Sequence, residues 1–149
     1  MSTMKADYRV AEEKDTAGLK KIFPCWKNIK ERLKQKNRIR YVAVVGGEIV
    51  GHIAVKLGSK PKKHIAKLES LSILPKFRRQ GIGIGLEQFA IENLPHYVQL
   101  VTCSVNAENV ASLELHKKIG FKEYGALEKG SFAEGKFSDC ILLVKKLNG

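Results

Sequence analysis

Residues 75–85, PKFRRQGIGIG, hold the densest grouping of chemically useful residues in this sequence. Arg78, Arg79 and Gln80 run into Gly81, Gly83 and Gly85, with Ile82 and Ile84 between the glycines. Successive backbone N–H groups at the start of a helix can hold a diphosphate, provided no side chain blocks its approach. Glycine removes the Cβ atom, the helix dipole favours the anion, and arginines add charge-assisted bonds. The same glycines could instead serve turn geometry or close helix packing alone. Two other phosphate motifs are disfavoured. A dinucleotide fold usually opens with its glycine motif and places an acidic residue about 20 residues further on, whereas this segment lies mid-chain. The segment also lacks the Lys-Ser/Thr pair of a P-loop.

Such a loop needs a strand before it and a helix after it. Residues 65–74 read as a strand ending at Pro75, with Lys67, Glu69, Leu71 and Ile73 on one face and Leu68, Ser70, Ser72 and Leu74 on the other. Residues 86–93 have helical spacing. Upstream, residues 8–11 read as a short strand, and Asp15 and Thr16 stand as caps before a helix carrying Leu19, Ile22 and Phe23. Trp26, Ile29 and Leu33 continue a 3.6-residue stripe into a second helix. Residues 41–45 and 48–57 form a hairpin on Gly46 and Gly47. Downstream come a strand over 98–105 and a helix over 109–119 closed by Gly120. Strands over 121–127 and 138–146 flank a glycine-containing connection, as in a terminal hairpin.

Composition bounds the setting. A chain of 149 residues with 44% hydrophobic content suits one domain, residues 1–149. No window approaches the roughly 18 apolar residues of a membrane span, and no basic segment precedes an apolar one at the start. A soluble, cytoplasmic protein without a membrane partner is expected. Cys25, Cys103 and Cys140 are widely spaced and expected to be buried free thiols. His52, His64 and His96 lack ligand spacing and are read as surface or strand-edge residues, so no metal is expected. Lys and Arg outnumber Asp and Glu by 27 to 15, a formal charge of +12 that attracts polyanions. Seven of these cations lie in residues 27–40, read mainly as a solvated helix face; no zinc-finger or RNP-like motif supports a nucleic-acid partner.

At these residues the sequence resembles a known family. SLSILPKFRRQGIGIGLEQF is similar to the acetyl-CoA-binding motif of GNAT acetyltransferases, R/Q-x-x-G-x-G/A, which falls here on Arg78, Gly81 and Gly83. VNAENVASLELHKKIGF resembles that family's second signature. The resemblance implies an α/β (α+β) fold, a mixed sheet of about seven strands flanked by about four helices. It implies a splay between the fourth and fifth strands into which pantetheine inserts, with acetyl-CoA as co-substrate. Leu71, Ser72 and Ile73 would pair with the pantetheine amides, and the Ile73 N–H would polarise the acetyl carbonyl. Gln80, Gly81, Ile82, Gly83, Ile84 and Gly85 would hold the pyrophosphate beside Arg78 and Arg79. Asn109 would hydrogen-bond near pantetheine, and Lys118 or Lys117 would reach the outer phosphates.

Direct transfer from a thioester to an amine calls for one general base and one general acid. Glu69, two positions from Leu71, is the candidate base; pairing with a cation such as Lys67 is the structural alternative. The tyrosine that in many family members protonates the departing sulfur falls on His116 here, a departure from the pattern that imidazole can fill as acid. Tyr124 is an alternative donor, and a partly exposed helical histidine the bland one. Trp26, Phe23 and Ile29 would line the acceptor side or simply pack the core, and Asp139 matches an often acidic position of unassigned role. The implied function is acetyl transfer to a primary amine on a small molecule, a protein amino terminus or a lysine. A homodimer, a longer acyl group, an acyl-CoA sensor with little catalysis and a nucleic-acid module on residues 27–40 are the alternatives left open.

Overall fold

A computed structural model describes residues 5–147. Its strands are β1 (Asp7–Val10), β2 (Arg38–Val45), β3 (Glu48–Leu57), β4 (Ile65–Ile73), β5 (Leu100–Asn106), β6 (Lys122–Ala133) and β7 (Lys136–Lys146). The helices are α1 (Thr16–Ile22), α2 (Ile29–Leu33), α3 (Ile82–Glu92) and α4 (Val110–Lys118), with 3-10 turns at Glu13–Asp15 and Pro75–Phe77. The seven strands form one sheet in the order β1-β2-β3-β4-β5-β7-β6. The sheet is mixed, because β4 and β5 run parallel while β2–β3 and β5–β7 are antiparallel. The expected mixed α/β architecture, with seven strands and four helices among the described residues, is the one observed. The β4–β5 register covers three pairs, from Ile65↔Leu100 to Lys67↔Thr102.

Backbone packing separates two units, one comprising the residues up to Leu57 with Leu68–Pro95, the other Gly58–Lys67 with the residues from His96 onward. In the first, Gly46 and Gly47 take φ of 54° and 80°, the left-handed pair a primed turn demands, and join β2 to β3. Leu19, Ile29, Val42 and Ile49 form a buried cluster against which Ile22, Trp26 and Leu33 pack. Helix α3 buries Ile82, Leu86 and Ala90, and Phe89 meets Tyr41 edge-on at 5.6 Å. Each fully buried leucine here contributes roughly 1.5–3 kcal/mol.

In the second unit, β7 pairs with β5 on one side and β6 on the other. Val101, Cys103, Val105, Phe121 and Leu143 are buried there. Asn109 caps α4 by accepting the Ser112 N–H at 3.1 Å. Gly120, at φ 105°, ends the helix, and the Phe121 N–H returns to the His116 carbonyl at 3.0 Å.

Four expectations need correcting. The terminal hairpin is longer than its apolar pattern: β6 runs to Ala133 and β7 starts at Lys136, joined by left-handed Glu134 and Gly135. Its outer part is exposed, so burial imposes no alternation there for a sequence to display. The second helix is only Ile29–Leu33, because Asn28 turns left-handed at φ 58° before it and Arg38 already belongs to β2. Asp15 precedes α1 but makes no side-chain cap. Its carboxylate accepts hydrogen bonds from Arg9 Nη1 and Nη2 at 2.7 and 2.8 Å, which holds its pKa below the usual carboxylate range. Of the three cysteines, all free, Cys103 is buried but Cys25 is exposed and Cys140 half-buried.

Candidate active site

Strand β4 does not stay extended. Ser70 takes φ 56°, a left-handed conformation unusual for a side chain other than glycine. The alternation expected to put Glu69 and Leu71 on one face assumes an unbroken pleat, and Ser70 breaks it. Glu69 and Leu71 therefore flank a bend.

The bend is held from the neighbouring strand. His52, on β3, donates from Nδ1 to the Ser70 carbonyl at 3.0 Å. Its Nε2 lies 3.3 Å from Arg40 Nη1. A carbonyl can only accept and a guanidinium only donate, so both contacts are satisfied by the neutral Nδ1–H tautomer. Burial and the Arg40 charge press the imidazole pKa down to about 4, against the raising effect of the Ser70 bond. His52 is wholly buried, at 0% exposure, which corrects its reading as a surface or strand-edge residue. The signal for it was a lone imidazole in an otherwise apolar strand, IVGHIAV.

Arg40 is 6% exposed although it ends the basic run. Its register opposite Ala54, with Val42 opposite His52, sets the two side chains diagonally on paired strands. Its Nε donates to the Arg32 carbonyl at 3.2 Å and its Nη2 to Gln35 Oε1 at 2.7 Å. Burial, then the charges of Arg38 and Arg32, lower its pKa. Phe23 and Trp26 stack at 3.8 Å and present their rings at near right angles to His52. Arg32 and Arg40 lie 4.7 and 5.2 Å from the Trp26 centroid, within cation–π range. The solvated-face reading of residues 27–40 thus fails at Arg40, whose charge is spent inside the protein.

Glu69 pairs with a cation, but the cation is Arg38 rather than Lys67: Nε donates to Oε1 at 2.7 Å. Both side chains remain about a quarter exposed, at 24% and 25%, so the carboxylate stays reachable.

Beyond Ile73 the chain makes a 3-10 turn anchored by buried Phe77. Arg78 Nε donates to the Ile73 carbonyl at 2.9 Å, tying the loop to the end of β4. Arg79 and Gly81 are left-handed, at φ 63° and 80°. Helix α3 begins at Ile82, four residues before the expected start, so Gly83 and Gly85 are helical. The Gly85 N–H is bonded to the Gly81 carbonyl at 3.0 Å, and the N–H groups of Ile82, Gly83 and Ile84 precede any intrahelical acceptor. The glycines divide their labour. Among the described residues nothing lies within 4 Å of a Cβ placed on Gly81, and one on Gly83 would meet only Ile73 Cγ1 at 3.6 Å. A Cβ on Gly85 would run into the Tyr8 phenol, so that glycine serves helix packing.

The remaining candidates belong to the second unit. Asn109 spends Oδ1 on its helix cap, leaving Nδ2 as the donor it can offer. His116 is buried, at 6% exposure, rather than partly exposed. Its Nδ1 lies 2.7 Å from the Ser112 carbonyl and its ring meets Phe121 edge-on. Lys117 and Lys118 are exposed. Asp139 accepts the N–H of left-handed Lys129 at 3.0 Å, a structural task at the irregularity in β6. Among the described residues, no group of three or more His, Cys, Asp or Glu is placed to hold a metal, and no helix is long and apolar enough to cross a membrane.

The chain is similar in sequence and fold to known proteins. Residues 4–121 match the family model described as Acetyltransferase (GNAT) family. An N-alpha-acetyltransferase of Sulfurisphaera tokodaii is 31% identical over 127 residues, covering 78% of this chain and 74% of that protein. The solved ribosomal-protein-alanine N-acetyltransferase of Brucella melitensis superposes with a TM-score of 0.82 at 25% identity, covering 95% of this chain and 99% of that one. The Salmonella typhimurium protein yncA, solved with its cofactor acetyl-CoA, gives a TM-score of 0.81 at 16% identity, covering 97% and 95%; that likeness is one of fold.

Proposed function

Because this chain belongs to the GNAT acetyltransferase family, we propose that it moves the acetyl group of acetyl-CoA to the amino terminus of a protein, acting as one domain in the cytoplasm. The observation that carries the reading is the start of α3, where three N–H groups without intrahelical acceptors stand beside Gly81 and Arg78. The space at the Gly81 and Gly83 Cβ positions suits the close approach of a diphosphate. The amino-terminal acceptor is supported by the relatives, an N-alpha-acetyltransferase and a ribosomal-protein-alanine N-acetyltransferase.

Acetyl-CoA supplies an activated acyl carbon and a thiolate leaving group. The loop Arg78, Arg79, Gln80, Gly81, Ile82, Gly83 and Ile84 is the proposed pyrophosphate cradle; Gly85, whose N–H is bonded to the Gly81 carbonyl, packs the helix behind it instead. The backbone of Leu71, Ser72 and Ile73 is assigned to pantetheine, and the Ile73 N–H to the acetyl carbonyl oxygen, where one fixed donor stabilises developing negative charge. Glu69 is the proposed base: it takes a proton from the acceptor ammonium, directly or through water, so that a neutral amine attacks. Arg38 holds that carboxylate in place from one side. In the second unit, Asn109 through Nδ2 is assigned to pantetheine and Lys118 to phosphate. His116 is assigned as proton donor to the departing sulfur, which requires the doubly protonated ring, since Nδ1–H is directed at the Ser112 carbonyl.

The reading is tested by incubating the protein with acetyl-CoA and peptides carrying free alanine, serine or methionine amino termini, alongside the same peptides blocked at the terminus. Mass spectrometry is expected to find acetylation of the free termini alone. Acetylation restricted to lysines or small amines would overturn the acceptor assignment.

A further inference from the structure

Of the groups around Glu69, His52 has no place in the transfer chemistry, yet it is the most enclosed polar side chain of the first unit. Its ring is fixed on every side: the Ser70 carbonyl at Nδ1, Arg40 at Nε2, and the edges of Phe23 and Trp26 at centroid distances of 5.0 and 5.4 Å. The residue it grips is the one with left-handed backbone in β4. Such a conformation persists only where its surroundings over-determine it, and it concentrates at functional sites. Ser70 sits directly between Glu69 and Leu71, so the angle of this one bend sets the direction of the carboxylate relative to the backbone of residues 71–73.

We propose that His52 is a positioning residue for acetyl transfer: by donating from Nδ1 to the Ser70 carbonyl it fixes the β4 bend that aims Glu69 and the following backbone amides at one reaction centre. The proposal rests on the transferase reading above. Arg40 belongs to the same device. By donating to Nε2 it selects the tautomer that carries its proton on Nδ1. Arg40 is in turn braced by the Arg32 carbonyl and Gln35, so the brace runs from the α2 region through β2 and β3 into β4. None of this requires His52 to touch either substrate.

The test compares His52→Leu, which deletes the donor, with His52→Asn, which keeps a side-chain N–H near the position of Nδ1. Acetyl-CoA binding is read by calorimetry and turnover with the best peptide of the amino-terminal panel. His52→Leu is expected to lower kcat about 100-fold while changing the acetyl-CoA dissociation constant less than about threefold, since misaimed groups cost rate rather than ground-state binding. His52→Asn is expected to recover at least about tenfold of that loss, which a purely space-filling role would not produce. If His52→Leu does not fold, Arg40→Met with nitrogen-15 NMR of the imidazole decides. The wild type should carry its proton on Nδ1, and Arg40→Met, which leaves Nε2 without its donor and the ring less firmly held, should lower kcat with little change in acetyl-CoA affinity. Unchanged kcat in His52→Leu, or a wild-type proton on Nε2, would overturn the proposal and leave the transferase reading intact. Absence of transfer by the wild type would overturn that reading, and this one with it.

Discussion

Arg38 and Glu69 meet at 2.7 Å through Nε and Oε1, although they stand on strands that are not neighbours in the sheet. The pair bridges over β3, and a single guanidinium nitrogen makes the contact, which leaves the second carboxylate oxygen for the proposed role of base. Glu69→Gln should lower kcat about 100-fold, the scale of losing a general base, and leave acetyl-CoA affinity unchanged. Arg38→Met should cost less, since the base survives but loses its brace. Steady-state kinetics with calorimetric binding check both, and full turnover in Glu69→Gln would remove the assigned base.

Stability should depend on pH through His52. Its folded pKa is depressed, to about 4, by burial first and by the adjacent Arg40 charge, against about 6.5 for the unfolded group. The unfolded state therefore binds more protons between these values. The stabilisation is fully present above about pH 6.5 and is lost as pH falls towards about 4, a total of roughly 3 kcal/mol. Asp15, whose pKa is lowered chiefly by its bond to Arg9, adds a further loss at lower pH. Urea midpoints across this range should fall steeply for the wild type and less steeply for His52→Asn. Parallel curves would contradict the buried neutral imidazole.

Gly85→Ala should destabilise the protein by about 1–3 kcal/mol, the usual cost of overpacking, because the new methyl group meets the Tyr8 phenol. Tyr8→Phe in the same chain should return part of that loss. Thermal unfolding of the single and double variants reads the coupling, and strict additivity would show that the two residues do not compete for this space.

What the sequence disclosed follows from how local each cause is. The Gly46–Gly47 turn and the Gly120 helix end were legible because left-handed backbone calls for glycine, as was the left-handed Gly81 before α3. The start of α3 was not, since Gly83 and Gly85 are poor helix formers that packing against Ile73 and Tyr8 accommodates. The bend at Ser70 carries no glycine to announce it. It depends on His52, eighteen residues away in sequence. The burial of Arg40 depends on the β2–β3 register, which places it diagonally from that histidine. A run of basic residues reads as solvated until a partner strand brings neutral acceptors to one of its members.

The most direct test of the account is calorimetric titration of the wild-type protein with acetyl-CoA, beside a Gly81→Val variant in which a β-branched side chain meets a left-handed backbone and the proposed diphosphate approach. Saturable one-site binding to the wild type is expected, together with its loss in a variant that remains folded by circular dichroism. Absence of binding to the wild type, or equal binding to both, would contradict the assignment of the loop before α3 as the coenzyme site.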